Sequence, residues 1–530
     1  MITVDLNPIP MRDGAVLAAD VVTPGARPTP TLLIRTPYGR AGSRMTSDLV
    51  GLGERGWSVV VSDVRGRGDS TGTFDPFHQE TDDGVDTIDW IVRQPWCDGR
   101  VAMAGGSYRG AVQWSAAAGG HPALGAIAPL MTTARFGEGW SSENGIALAG
   151  FLRAWALRFA MSAPGADAAV VARARELHDR LLAAPATPDI DREIEALFPT
   201  FERWMRPDDE AYFGPLDLLA DGRIRTPARQ TGGWYDMFCE GGLEAFAALS
   251  SELDPALSPQ RMLVGPWSHI GAASAVVGDH YFGSGADPER LRLVEREIEW
   301  LGAALTPGRR SELGHRLSVY VLGRGDWLDL PTWPPPDAQV ERWQLGADGT
   351  IFRPGEMSTA PGERVVEHDP DRPLPTHGGR GFGYWPRSGP LVGQVESADD
   401  DADPRLIRYV SAPVQQSVTV VGRIAVDLEL APLAADCHAI VRVECLAADG
   451  STTLIVEQGT QLSAGADATE VRLSAGSTAW YIRSGDRIAV SVSMSSWPRL
   501  AVDPAPGRLV IRHGDPNRCA ILLPTLEVGR

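Results

Sequence analysis

A serine set among glycines becomes a nucleophile when the chain turns sharply at it. The segment VAMAGGSYRGAVQWSAA (101–117) has that form. A short apolar run leads into Gly105-Gly106-Ser107-Tyr108-Arg109-Gly110, and a helical pattern starts at once. A strand-to-helix elbow of this kind presses the serine into a strained, exposed geometry, and the small residues let helix and strand pack closely. The backbone N–H of Tyr108, with the helix N-terminus behind it, then faces the oxyanion that forms when the serine attacks a carbonyl. One letter departs from the common G-x-S-x-G elbow: Arg109 is the second residue after the serine, and glycine is the third. A plain glycine-rich turn is the bland reading of the same letters, so the elbow needs partners elsewhere.

A nucleophilic serine needs a base and a group that orients the base, and in this kind of fold they follow in the order serine, acid, histidine. Asp236 ends ARQTGGWYD (228–236) and His269 ends RMLVGPWSH (261–269), each just beyond an apolar run. Of ten histidines, His269 alone closes such a run after Ser107. His121 reads as a cap near the helix after the elbow. His280, His315, His368, His377, His438 and His513 fall in loops or β-rich text, where solvated or internally satisfied imidazoles are the ordinary expectation.

These residues require a sheet to hold them. Residues 1–134 read as an α/β unit: TLLIRTPY (31–38) and WSVVVSDVRG (57–66) are short, β-branched runs bounded by Gly or Pro, as buried strands are. Between them and the elbow, Val85, Ile88, Ile91 and Val92 recur at helical spacing before Pro95 and Gly99 end the helix. Strands alternating with helices predict a parallel sheet covered on both faces. Residues 135–225 lose the strand signal and become Ala-, Leu- and Arg-rich, a helical insertion with helices expected over 150–162, 167–184 and 191–204. The α/β pattern resumes over 226–316 and ends in an amphipathic helix over 288–305. From 317 to 530 the period becomes two, in runs such as SVYVLG, QSVTVVGRIAVDLEL and HAIVRVECLA, which predicts an all-β jelly roll or sandwich. The Pro/Gly/Asp-rich stretch 355–390 reads as a long surface connection.

Composition removes several chemistries. The 530-residue chain contains no lysine, so a P-loop, a pyridoxal phosphate or Schiff-base lysine and a Ser-Lys dyad are all excluded. Its net charge of −19 argues against nucleic acid or an anionic membrane as partner. Five cysteines without a CxxC pair predict neither a disulfide framework nor a structural zinc site, and no metal site is expected. The first residues carry no signal-peptide pattern, and no apolar run approaches the roughly 18 residues of a membrane helix, so a cytoplasmic protein with reduced thiols is expected. Three motifs are decoys. GLGERG (51–56) precedes a strand, whereas a dinucleotide loop follows one. Arg67-Gly68-Asp69 reads as a loop, and Asp82, Asp83 and Asp86 head a helix where acids suit the dipole.

The segments GGSYRG, GWYD and GPWSH resemble the triad segments of the CocE/NonD hydrolases, a family that includes bacterial cocaine esterase, α-amino acid ester hydrolases and S15-type X-prolyl dipeptidyl peptidases. RTPYGR, DVRGRGDSTG, DDGVDTIDWIVRQPWCDGRV and GRGDWLDLPTWPPPD agree, so the resemblance spans nearly the whole chain. It implies an α/β-hydrolase domain with a helical cap and a C-terminal jelly roll. It implies Ser107 as nucleophile, Asp236 as orienter and His269 as base, with the Tyr38 hydroxyl beside the Tyr108 N–H in the oxyanion hole. Phe238, Trp140 and Trp155 are the expected substrate-binding residues. Glu138, Glu143, Asp208, Asp209 and Glu210 are acids that could hold a substrate ammonium, against the bland reading of a solvated acidic face.

The expectation is a serine esterase or amidase that needs no cofactor and acts on a small-molecule or peptide-like substrate, dipeptidyl-peptidase activity included. Acyl transfer from the same acyl-enzyme, and a catalytically silent ligand-binding protein, are the alternatives. The oligomeric state is left open, a homodimer included.

Overall fold

The computed structural model describes residues 4–25, 27–42, 49–183, 188–270, 274–356, 360–382, 392–395, 403–464, 469–515 and 517–527. Among these, ten strands form the first sheet, in the order Val4–Pro10, Val16–Val22, Ser58–Asp63, Thr29–Thr36, Cys97–Gly106, Leu124–Leu130, Ala228–Tyr235, Gln260–Ser268, Arg316–Val321 and Asp326–Leu330. The strands from Ser58–Asp63 to Arg316–Val321 run parallel, and the outer ones are antiparallel.

Side chains alternate across the pleat, and so does the core. Leu33, Val60, Val101 and Met103 face one layer, with Ile88 and Ile91 of helix Glu80–Val92 and Ala111 and Val112 of helix Tyr108–Ala118. Their neighbours Leu32, Ile34, Val59, Val61, Ala102 and Ala104 face the other layer, with Ile298 and Leu301 of helix Leu293–Ala304. Burial on both faces is why these strands are continuously apolar rather than alternating. Helix Leu293–Ala304 is shorter than its amphipathic pattern suggests, because Arg292 before it takes a left-handed conformation, φ 51°.

The cap lies between strands Leu124–Leu130 and Ala228–Tyr235. Its helix Ala149–Met161 is apolar on almost every side and correspondingly buried. Helices Ala168–Ala183, Pro188–Leu197 and Phe201–Trp204 follow. The single helix expected over 191–204 is broken at Thr200, whose φ of 95° no helix accommodates.

The second domain is an eleven-strand jelly roll, from Gln339–Leu345 to Ala520–Thr525 among the described residues. Strand Val418–Leu430 shows why the period-two pattern is so clear: from Arg423 onward its residues alternate between outside and core, opposite Thr469–Ile482. Strand Arg316–Val321 departs from the expectation. Its letters alternate, but it pairs in parallel with Gln260–Ser268, so it and Asp326–Leu330 complete the first sheet and the jelly-roll strands begin at Gln339. Alternation identifies a strand without saying which sheet receives it. One apolar cluster spans both domains, from Leu243, Phe246 and Val264 to Val421, Ala479 and Trp480.

Candidate active site

The parallel strands end along one edge of the sheet, and each delivers one site residue just beyond its last paired position. Tyr38 follows Thr29–Thr36, Ser107 follows Cys97–Gly106, Asp236 follows Ala228–Tyr235 and His269 follows Gln260–Ser268. This is the edge at which parallel α/β sheets bind ligands.

Ser107 has φ 60° and ψ −128°, a left-handed backbone that a serine adopts only when its surroundings impose it. Its N–H is held by the Leu130 carbonyl at 2.9 Å. The helix behind it crosses so close to the next strand that a Cβ on Gly110 would stand 2.6 Å from Thr132 Cγ2. The strands carrying the other two residues also converge, and a Cβ on Gly233 would meet the Trp267 carbonyl oxygen at 2.1 Å. The result is a hydrogen-bonded row. His269 Nδ1 lies 2.8 Å from Asp236 Oδ1, and His269 Nε2 lies 3.1 Å from Ser107 Oγ. The His269 and Asp236 side chains are 6% and 1% exposed.

The two tyrosines are held differently. Tyr108 is buried, and its phenol donates to Glu80 Oε1 at 2.7 Å while accepting from the Phe77 N–H at 3.1 Å. Burial, reinforced by the Glu80 charge, pushes that phenol well above its usual range, so it remains a donor to Glu80. Glu80 is itself paired with buried Arg35 at 2.8 Å. The side chain is thereby anchored in the core. Tyr38 is half-buried. It stacks on Phe159 with ring centres 5.9 Å apart, and its hydroxyl oxygen accepts from Trp155 Nε1 at 3.3 Å. That bond uses an oxygen lone pair and not the phenolic proton.

Phe238, Trp140 and Trp155 come together in one aromatic wall. Phe238 stacks on Trp140 at 4.1 Å and meets the His269 ring edge-on at 5.1 Å, while Trp155 packs against Trp140 at 5.7 Å. Two further rings belong to this wall and were missed in the sequence. Phe151 of the cap lies 5.3 Å from Trp155, and Phe382 lies 4.7 Å from Phe151 and 5.1 Å from the His269 ring. Phe151 was detectable as an apolar position on a cap helix. Phe382 sits in the stretch read as a surface connection.

That stretch instead runs to the site. The Gly381 N–H donates to the Tyr235 carbonyl at 3.3 Å, and Gly381 bridges Asp236 as a one-residue strand pair. Beside it, Arg380 donates to the Trp234 carbonyl at 3.2 Å, to Glu240 Oε1 at 2.6 Å and to the Ser477 carbonyl of the jelly roll at 2.7 Å. Glu240 also takes Arg423 Nη2 at 3.1 Å and Ser477 Oγ at 2.7 Å. Burial alone would raise the Glu240 carboxyl, but the Arg380 and Arg423 charges and the Ser477 bond outweigh it and hold it at about 2.

The cap acids fall into two groups: Glu138 and Glu143 line one small pocket with Glu240 and Glu244, whereas Asp208, Asp209 and Glu210 lie apart in another turn. Glu143 accepts from the Gly459 N–H and pairs with Arg499, each at 2.8 Å, which ties the cap to the jelly roll. Asp209 caps helix Glu210–Phe213 and pairs with Arg203 at 2.8 Å, its neighbours Asp208 and Glu210 lying in the same turn. Glu138 is largely buried, accepting from the Asn144 N–H at 2.6 Å and Ser142 Oγ at 3.1 Å, and burial pushes its carboxyl up.

Comparison with known proteins agrees with this architecture. Residues 13–271 match the family described as X-Pro dipeptidyl-peptidase (S15 family), and residues 312–522 match the X-Pro dipeptidyl-peptidase C-terminal non-catalytic domain. The cocaine esterase of Rhodococcus sp. (strain MB1 Bresler) is 30% identical over 556 residues, covering 96% of this chain and 94% of the relative. Among solved structures, an α-amino acid ester hydrolase superposes with a TM-score of 0.79 at 20% identity, covering 99% of this chain and 97% of the other. An aminopeptidase from a marine sediment Thaumarchaeota archaeon gives 0.78 at 20% identity, covering 98% and 96%. At that identity the two structures speak for the fold alone. The chain belongs to the S15 peptidase family in its CocE/NonD branch, and it is a serine hydrolase of ester or peptide-type bonds.

Proposed function

We propose that this protein is an esterase in which Ser107 forms an acyl-enzyme with a predominantly apolar acyl group. The observation that carries the reading is the continuous row from Asp236 through His269 to Ser107, at 2.8 and 3.1 Å. Ser107 Oγ attacks the carbonyl carbon as its proton passes to His269 Nε2. The imidazolium that forms is stabilised by Asp236, which also fixes the ring so that Nε2 faces the serine. The carbonyl oxygen takes up the negative charge and accepts hydrogen bonds from the Tyr108 N–H and the Tyr38 hydroxyl. As the intermediate collapses, the His269 proton leaves with the departing alcohol. Water then gives its proton to His269 and attacks the acyl carbon. As the second intermediate collapses, the C–O bond to Ser107 breaks, His269 returns the proton to Ser107 Oγ, and the acid leaves.

The wall of Phe238, Trp140, Trp155, Phe151 and Phe382 supports an aromatic or branched aliphatic acyl group, since burying it there removes apolar area from water against rings already in place. Dipeptide cleavage is less well supported, because Glu143 and Asp209, acids that could receive an N-terminal ammonium, are engaged by Arg499 and Arg203. The test is a p-nitrophenyl ester series run beside aminoacyl-proline p-nitroanilides, on wild type and Ser107→Ala. Ester turnover that rises with acyl bulk, is abolished by Ser107→Ala and exceeds anilide turnover is expected. Preferred cleavage of the anilides would reverse the reading.

A further inference from the structure

Arg109, the letter that sets this elbow apart, has no role in the scheme above. It leaves helix Tyr108–Ala118 in its first turn, and its stem runs over Gly105, where an added Cβ would lie 2.8 Å from Arg109 Cβ. Its Nε is enclosed and has no hydrogen-bond partner among the described residues. Among the other arginines with an enclosed nitrogen, Arg35 meets Glu80 at 2.8 Å and Arg408 meets Glu444 at 2.9 Å, whereas Arg229 and Arg353 show no carboxylate pair among the described residues. Arg109 has no such pair among the described residues. Burial pulls its pKa down, and the one titratable neighbour that opposes this is the Tyr38 hydroxyl.

Two more guanidinium groups converge on the same tyrosine. That of Arg158 lies over the Tyr38 ring, 4.7 Å from its centre. Arg67 donates to the Pro37 carbonyl at 3.1 Å, and its other bonds go to the Phe159 carbonyl and to Ser162 Oγ and carbonyl, all neutral acceptors. The guanidinium groups of Arg109, Arg158 and Arg67 thus lie around Tyr38 in a chain whose net charge is −19. A guanidinium does not shed its proton, and the enclosed Arg109 Nε–H has lost water without gaining an acceptor, which an arriving anion would supply.

We propose that Arg109 is an anion-recognising residue and that the preferred substrates are esters bearing a carboxylate, which lies beside Tyr38 when the ester carbonyl is at Ser107. This rests on the reading of Ser107 as nucleophile. A planar guanidinium suits a carboxylate because two parallel N–H···O bonds can form, and partial burial strengthens them. The same field opposes an ammonium on the substrate. The carboxylate sits on the acyl chain or on the leaving alcohol, and paired substrates distinguish the two.

The test follows proton release from ethyl hydrogen adipate, ethyl hexanoate and ethyl 6-aminohexanoate, which vary charge on one acyl length. 4-Acetoxybenzoate beside phenyl acetate places the carboxylate on the leaving group instead. In wild type, kcat/KM should favour the anionic ester in one of these two sets. In Arg109→Met that preference over the neutral or cationic ester should fall by about tenfold or more, with Arg109→Lys intermediate. Equal losses for all esters would overturn the proposal and make Arg109 a support for the oxyanion whatever the substrate. So would a wild-type preference for the ammonium ester, or no preference for the anion in either set. If Arg109→Met does not fold, inhibition of wild-type ethyl hexanoate turnover by adipate against adipamide decides, and equal inhibition overturns the proposal. The nucleophile reading fails separately: Ser107→Ala would then retain turnover of every ester, whatever its charge.

Discussion

The serine elbow and the Arg380 strap both shape the same site, yet they are built in opposite ways. The elbow is local: strand Cys97–Gly106, the strained Ser107 and helix Tyr108–Ala118 are consecutive, and glycines admit their close packing. The strap is non-local. Arg380 reaches a carbonyl at Trp234, a carboxylate at Glu240 and a carbonyl at Ser477, so two distant stretches of chain must already be in place. A site can therefore take its chemistry from a local motif and its alignment from a network that no short segment encodes.

The largest effect should come from the elbow. Ser107→Ala should lower kcat by a factor on the order of 10⁶ on any ester, measured with p-nitrophenyl butyrate, with the melting temperature nearly unchanged. A modest loss would mean that the elbow is a structural turn and would remove the contrast with the strap. Next comes Tyr38. If its hydroxyl holds the oxyanion, Tyr38→Phe should reduce kcat by about 10²–10³, or roughly 2.7–4 kcal/mol, with KM little changed. Turnover close to wild type would leave Tyr38 a packing residue against Phe159.

The strap should give a smaller, differently shaped result. Arg380→Met should lower kcat about tenfold while folded protein persists, with partial rescue by Arg380→Lys, because misaligning a reacting geometry costs rate. Arg442→Met, which breaks the buried pair with Glu457 inside the jelly roll, should lower the melting temperature and spare the kcat of the folded fraction. Equal kcat losses in both variants would make the strap an ordinary stabilising contact.

Its pH dependence follows from Glu240. The carboxyl is held at about 2 when folded, below the roughly 4.3 of an unfolded glutamate, so its contribution to stability is complete above the unfolded value and is lost as pH falls towards 2. Glu240→Gln should therefore melt below wild type at neutral pH, with the gap closing between about pH 4 and pH 2. A gap that stays constant on acidification would show that the Glu240 charge is not what the strap uses.

The same contrast explains what was legible in the sequence. Ser107, Asp236 and His269 stood out because each ends an apolar run, and strand ends are local signals. Phe238 was visible as an aromatic two residues past Asp236, whereas Trp140 and Trp155, in the cap, came from the family resemblance and not from a local signal. Strand Arg316–Val321 was read as a strand and placed in the wrong sheet, since pairing partners lie outside the segment. Arg380 and Phe382 lay in Pro- and Gly-rich text without a period, and their importance comes wholly from Glu240, Ser477, Phe151 and the His269 ring. The pairing of Glu143 was equally hidden, because its partner Arg499 is 356 residues away in the chain.

The central claim is that Ser107 and His269 act as one unit. Its most direct test is kcat for Ser107→Ala, His269→Ala and the double variant on one p-nitrophenyl ester, with folding checked by thermal melting. Each single substitution should cost about as much as the pair, since the base has no proton to accept once the serine is gone. A double variant far slower than either single, with losses that multiply, would show that the two residues work independently and would contradict the shared triad.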